Sequence, residues 1–276
     1  MKLSEIGERG LLAELERRGL IRDVENDAAE LDDGLVVTQD ALVEGVHFRR
    51  ELLCWRELGY RAAAVNLSDL AASGATPECL IVTLALPADT ELGDALQLYE
   101  GLAEPRVPVK GGDTTAAPLV VLSVTAIGRS DRVPGRGGAK PGDRVVVTGP
   151  LGAAGAAFRD GRLARPPLRL EEGRRLAADA HALLDISDGL AVDAGRIAER
   201  SGCRVVIDLD RVPLAPGASV DDLGFGEDYE LLAALPDAAG FAEIGRCEPG
   251  SGVELRLEGR PYELRGYEHF GSTGSA

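Results

Sequence analysis

The chain of 276 residues carries 30 basic and 46 acidic side chains, a formal charge of -16 at neutral pH, with 45% apolar residues and 4% aromatic ones. That length points to two domains, and the apolar content to a folded soluble protein rather than a disordered one. The negative charge, with no Lys/Arg run, excludes nucleic acid and anionic membranes as expected partners; no apolar segment nears the ~20 residues of a membrane span and "MKLSEIGERG" lacks a signal-peptide core, so a cytoplasmic location is expected.

In chain order, "LSEIGERGLLAELERRG" spaces Ile6, Leu11, Leu12 and Leu15 as a helix would and stops at Gly19. "LVVTQD" reads as a strand, followed by a loop through Gly45 and His47 and a long helix from about Glu51 to Ser73. "CLIVTLALP" is a buried strand closed by Pro87, "DTELGDALQLYEGLAE" a helix, and "VPVKGGDTT" and "LVVLSVTAIG" two further strands. Between Arg129 and Asp143 the Gly/Pro-rich text "RSDRVPGRGGAKPGD" has no apolar periodicity, and a boundary near residue 134 divides an N-terminal domain (1–134) from a C-terminal one (135–276). The second half alternates strands ("DRVVVTG", "ALLDI", "CRVVIDL", "YELLAAL") with helices at about 169–181 and 189–201, which predicts an α/β or α+β class. The tail "GSTGSA" reads as frayed.

Several carboxylates stand where apolar residues belong. Ala62, Val65, Asp69 and Ala72 share one helix stripe, so Asp69 falls on the face turned to the core, where a carboxylate must be neutralised, paired or bound to a cation. Asp40 ends the strand face of Val36 and Thr38; Asp113 follows two glycines that let backbone approach a ligand; Asp185 and Asp188 end "LLDISD". Each has a plain alternative: a helix cap for Asp188, an Asx turn for Asp27, a buried backbone hydrogen bond for Asp69. Together, and without a Cys or His cluster, these hard oxygen donors suit Mg²⁺, whose usual second partner is phosphate. Cys54, Cys79, Cys203 and Cys247 are scattered, with no CxxC, and read as small buried hydrophobes. "VVVTGPLGAAG" offers GxxGxxG rather than GxGxxG, so a glycine-rich helix start packed on its sheet is preferred to a dinucleotide site. No P-loop or protein-kinase motif occurs.

The blocks "TQDALVEGVHF", "AAVNLSDLAASGATP", "VKGGDTTAAPL", "GAKPGDRVVVTGPLG", "LLDISDGLAVDAGRIAERSG", "GEDYELL" and "GYEHF" occur in the order and approximate spacing of the thiamine-monophosphate kinases, which the chain resembles over nearly its whole length. The resemblance implies a two-domain fold like that of aminoimidazole-ribonucleotide synthetase, with N-terminal sheets paired across a homodimer and a C-terminal α/β domain. It implies transfer of the γ-phosphoryl group of ATP to thiamine monophosphate, with several Mg²⁺ ions and no catalytic side chain. By position it implies metal ligation by Asp27, Thr38, Gln39, Asp40, Asp69, Asp113, Asp185 and Asp188. It implies ATP contacts at Gly112, Asp113, Arg136 and Ser187, and contacts to the thiamine moiety at His47, Glu227 and Tyr267. Lys110 and Lys140 are read either as charges near the phosphates or as solvated side chains.

The chain departs from that pattern in places. It has "ENDAA" where the family usually reads Gly-Asp-Asp-Ala-Ala, Gln39 where Ser or Thr is usual, Phe225 in place of a Gly, and a shortened segment before "GGDTT". Weaker metal binding is expected from Asn26 and Gln39. Another ATP-dependent member of the superfamily and a non-catalytic binding paralogue are the alternatives.

Overall fold

The computed structural model describes residues 2–22 and 26–267. Glu25 of "ENDAA", the last three residues of "GYEHF" and the tail "GSTGSA" lie outside the described residues. The opening amphipathic segment is α1 (Leu3–Arg17). Then come β1 (Ala29–Glu30), β2 (Leu35–Val43), α2 (Trp55–Ala72), β3 (Thr76–Leu86), α3 (Leu92–Ala103), β4 (Val109–Ala116) and β5 (Val121–Arg129). Helix α2 starts later than the expected Glu51, because the Cys54 amide donates to Glu57 Oε2 at 2.9 Å and closes the first turn there.

The five strands form one sheet in the order β1-β2-β5-β3-β4, antiparallel except for the parallel pair β3/β4 at its edge. Helices α2 and α3 cross in contact because glycines meet there. A Cβ on Gly59 would lie 1.9 Å from the Leu98 carbonyl oxygen, and one on Gly101 equally close to that of Arg56.

The second half lays down β6 (Arg144–Val147), α4 (Ala153–Arg159), α5 (Leu170–Asp179), β7 (Ala182–Asp185), α6 (Leu190–Ser201) and β8 (Arg204–Asp208). It finishes with β9 (Leu231–Leu235), β10 (Ala242–Glu248), β11 (Gly252–Leu257) and β12 (Arg260–Tyr262). These strands form a seven-stranded sheet, β12-β11-β8-β10-β6-β9-β7, in which only β8 and β11 run parallel. The mixed α/β class read from the alternation of elements is the class observed.

Packing explains why α2 is apolar almost all round. On one side Leu58, Leu67 and Leu70 meet Leu80, Val82 and Val124 of the first sheet. On another, Ala71 and Ala72 meet Val146, Leu176, Leu183 and Leu231, on the second sheet and α5. Burying each such leucine contributes roughly 1.5–3 kcal/mol. The far face of the second sheet is covered by α6 through Leu190, Ala194 and Ile197. Among the described residues no helix packs on the other face of the first sheet, where Val37, Ile81, Thr83, Ser123, Thr125 and Ile127 keep partial or full exposure. Cys79, Cys203 and Cys247 are buried free thiols, whereas Cys54 is exposed.

Candidate active site

Helix α2 carries its polar residues to the seam between the two sheets. There Asp27, Asp69 and Asp185 each offer a carboxylate oxygen, and the three oxygens lie within 4.8 Å of one another. Asp69 comes from the last turn of α2 and Asp185 from the end of β7, where the strand stops and a loop leads into α6. Each carboxylate is held by a neighbour. The Thr38 hydroxyl, on β2, donates to Asp69 Oδ2 at 2.5 Å, Ser68 donates to Asp185 Oδ2 at 2.7 Å, and Arg136 Nε donates to Asp27 Oδ1 at 3.0 Å. Asn66 Oδ1 accepts from the Asp40 amide at 2.9 Å, fixing the stretch of β2 that carries the fourth carboxylate.

The electrostatics of this cluster are unfavourable as they stand. Burial, then the charges of Asp185, Asp40 and Asp27, push the Asp69 carboxyl well above its ordinary range, against the opposing hydrogen bond from Thr38. Burial and the Asp27 charge do the same to Asp185, against Ser68. Asp193, fully buried in the first turn of α6, is pushed up to about 7 mainly by burial, although Arg196 pairs with it at 2.5 Å. The same Arg196 pairs with Asp188, whose side chain therefore does not cap α6; Gly189 is the N-cap. Like charges gathered in a protein interior call for a compensating cation.

The cluster opens into a cleft of about 570 Å³ between the two sheets. Of the residues assigned to metal by resemblance, Asp27, Thr38, Gln39, Asp40, Asp69, Asp185 and Asp188 line it. So do Arg136 and Ser187, and so do His47, Glu227 and Tyr267. His47 Nδ1 accepts from the Val43 amide at 3.1 Å, which leaves the proton of the neutral ring on Nε2. The Gln39 amide donates to Ser123 Oγ at 2.7 Å across the sheet.

Gly112 and Asp113 are not brought to this cleft within the chain. They lie on β4, where Asp113 is in register with Thr83, which pairs with Ser123 and through it with Ala41 of β2. Three strand spacings, roughly 14 Å, separate it from the Asp40 strand. The glycine before Asp113 has a reason inside the sheet: at φ 147°, a Cβ on Gly112 would lie 1.7 Å from the Val82 carbonyl oxygen. Lys110 and Lys140 are exposed and do not line the cleft. The glycine-rich start of α4 is filled by the protein's own carboxylate, since Asp228 accepts from the amides of Gly152 at 2.7 Å and Ala154 at 3.3 Å. An internal anion occupies the place that a nucleotide phosphate would take in a dinucleotide fold.

Sequence reasoning passed over several neighbours of the cleft. Arg61, Asn66 and Ser68 are buried polar residues of α2, and their signal was available: polar side chains on a helix otherwise apolar on every face. Phe158, also missed, packs against Phe225, which stands where the family usually has a Gly; with ring centroids 5.0 Å apart they form an aromatic wall of the cleft.

The chain matches the family "AIR synthase related protein, N-terminal domain" over residues 25–130 and the corresponding C-terminal domain over residues 140–244. It is 31% identical to the thiamine-monophosphate kinase of Aquifex aeolicus, covering 98% of this chain and 100% of that protein. It is 36% identical to that of Synechococcus elongatus, with 97% and 98% covered. The solved structure of AaThiL complexed with AMPPCP and TMP superposes with a TM-score of 0.89 at 31% identity, over 98% of this chain and 99% of that one. The hydrogenase maturation protein of a HypE–HypF complex, 17% identical with a TM-score of 0.78 over 93% and 99% of the two chains, shares the fold.

Proposed function

The chain belongs to the thiamine-monophosphate kinase family of AIR synthase related proteins, and from that membership we infer that it transfers the γ-phosphoryl group of ATP to the phosphate of thiamine monophosphate, giving thiamine diphosphate and ADP. The observation that carries this reading is the convergence of Asp27, Asp69 and Asp185 within 4.8 Å at the floor of a cleft that His47, Glu227 and Tyr267 also line.

Mg²⁺ fits the donor set. The clustered ligand atoms among the described residues are hard carboxylate oxygens, and burial together with the neighbouring carboxylates raises the proton affinities of Asp69 and Asp185, a cost that a bound cation would offset. Asp27, Asp69 and Asp185 would hold the ions, with Asp40, Asp188, Thr38 and Gln39 at the margin. When bound, the ions supply charge neutralisation that lets two polyanionic substrates approach inside an acidic protein.

The remaining work falls to side chains. Arg136 borders the cleft with a guanidinium suited to phosphate oxygens, and the Ser187 hydroxyl is a second donor to the nucleotide. The acceptor is a phosphate oxygen whose second pKa, about 6, leaves it largely ionised near neutrality, so no general base is required. His47, Glu227 and Tyr267 hold the thiamine moiety: the Glu227 carboxylate suits a cationic ring, and the His47 Nε2–H is a donor.

An uncovered sheet face and an edge strand, β4, with almost every residue exposed support a homodimer formed through the first sheet. If the sheets pair with β4 against the partner's β2, Asp113, remote from Asp40 in its own chain, would meet the Asp40 side of the partner's cleft. No helix among the described residues is long and apolar enough to cross a membrane, and a cytoplasmic location accords with the intracellular nucleotide substrate.

The test is a product assay with ATP, Mg²⁺ and thiamine monophosphate, beside a reaction lacking Mg²⁺. Metal-dependent thiamine diphosphate with equimolar ADP is expected. Binding of thiamine monophosphate without product would replace the kinase by a binding paralogue.

A further inference from the structure

Arg61, on the second turn of α2, is 2% exposed and heads the large side chains that the fold encloses completely. Its guanidinium touches two separate walls of the cleft without lining the cleft itself. Nη1 donates to the Ala164 carbonyl at 2.9 Å, and Nη2 lies 2.6 Å from Glu227 Oε2. The second contact is ionic rather than directional, for Nε and Nη2 make no well-aligned hydrogen bond. The Tyr229 ring lies 5.9 Å from Cζ. A buried guanidinium left partly unsatisfied is unfavourable, and a leucine or methionine would fill the same volume more stably.

What the charge does is visible in its partners. Glu227 and Tyr229 adopt left-handed backbone, φ 57° and 52°, a region that non-glycine residues rarely enter. Their amides are tied to Ser187 and Ile186, on the segment between Asp185 and Asp188. The Glu227 side chain is therefore presented to the cleft from a strained turn, and Arg61 is its ion-pair partner among the described residues. The neighbouring residue of α2 fastens the other wall: Tyr60 donates to the Pro166 carbonyl at 2.8 Å, and Arg165 lies 3.3 Å over the Tyr60 ring. That wall carries Leu163 into the cleft.

We propose that Arg61 is a positioning residue for substrate recognition: from inside the core it fixes the Glu227 carboxylate and the Leu163 wall in the geometry that receives the organic, cationic part of the phosphate acceptor. The inference rests on the reaction proposed above. It separates the two substrates, because Arg61 has no contact with the acid cluster or with Arg136.

Steady-state kinetics of the full chain test it, with Arg61→Met, Arg61→Lys, Glu227→Gln and the Arg61→Met/Glu227→Gln double variant beside the wild type. Arg61→Met is expected to raise KM for thiamine monophosphate by roughly 10–100-fold while KM for ATP stays within about twofold and kcat within about fivefold. Arg61→Lys is expected to recover most of the loss. In the Glu227→Gln background, Arg61→Met is expected to add less than about threefold, as for residues acting through one another. If Arg61→Met does not fold, Arg61→Gln, which keeps a donor for Ala164 and removes the charge, carries the same comparison. An active wild type beside a folded variant with unchanged KM for thiamine monophosphate, with both KM values raised alike, or with additive effects, overturns this inference alone. A wild type that forms no thiamine diphosphate overturns the proposed reaction, and this inference with it.

Discussion

Replacing Asp69 by Asn separates what this carboxylate does for folding from what it does for the reaction. Its oxygen lies within 4.8 Å of those of Asp27 and Asp185. Two unit charges that far apart repel by about 3.5 kcal/mol at an effective dielectric of ~20. The raised proton affinity of Asp69 relieves part of this, so about 1–3 kcal/mol is the gain expected on removing the charge. The amide oxygen can still accept from Thr38, so the one favourable contact survives. In EDTA, Asp69→Asn is therefore expected to melt at or above the wild type, by roughly 2–10 °C. Added Mg²⁺ should raise the wild-type Tm and leave that of the variant nearly unchanged, while turnover falls by about 100-fold or more. Differential scanning fluorimetry with and without Mg²⁺, paired with the product assay, reads all three. A variant that melts several degrees lower in EDTA, gains as much as the wild type from Mg²⁺, or turns over at a near-normal rate refutes the reasoning.

Three other outcomes are expected. Asn26→Asp with Gln39→Thr should shift the activity-versus-Mg²⁺ curve to lower Mg²⁺, and an unmoved curve would mean that neither position influences the ions. Asp69→Asn and Asp113→Asn chains, each inactive, should recover roughly a quarter of wild-type activity when mixed and reassociated, if Asp113 acts across a dimer; no recovery would return Asp113 to its own chain or to a structural role. Burial pushes the Asp228 carboxyl up to about 6, against its bonds to the α4 amides, so its contribution to stability is present below about pH 4 and is lost as pH rises through 6. Urea unfolding should therefore find the wild type losing up to about 3 kcal/mol relative to Asp228→Asn between pH 4 and pH 7, and a difference that is flat with pH would dismiss the assignment.

Local pattern carried the long elements well. Periodicity located α2, and a continuous apolar run located β9, because those segments are buried on nearly every side; the run in β3 located the strand but overstated its burial, since Ile81 and Thr83 face the uncovered side of the first sheet. The strands β10 to β12 were not legible: "AEIGRCE" and "GVELRL" mix Arg and Glu with apolar residues, and their pairing is set by β8 and by each other. Within the site, the carboxylates drew attention because each breaks an apolar pattern. Which of them meet depends on sheet order, and sheet order puts β4 at the edge opposite β2, so "GGDTT" looks in sequence like part of a cluster from which it is distant within the chain. Arg61 and the aromatic wall of Phe158 and Phe225 stayed hidden for a related reason, since their partners lie more than sixty residues away along the chain.

The position of α2 has a thermodynamic consequence. One helix supplies apolar surface to both sheets, so neither half can expose its share of Leu58, Leu67, Ala71 and Ala72 without stripping the other of a neighbour. Asp69 is mounted on this shared element, and Asp40 and Asp185 on strands it touches, so loosening either half releases both. The protein thereby trades the independence of its two halves for a binding site whose geometry is as stable as its interior.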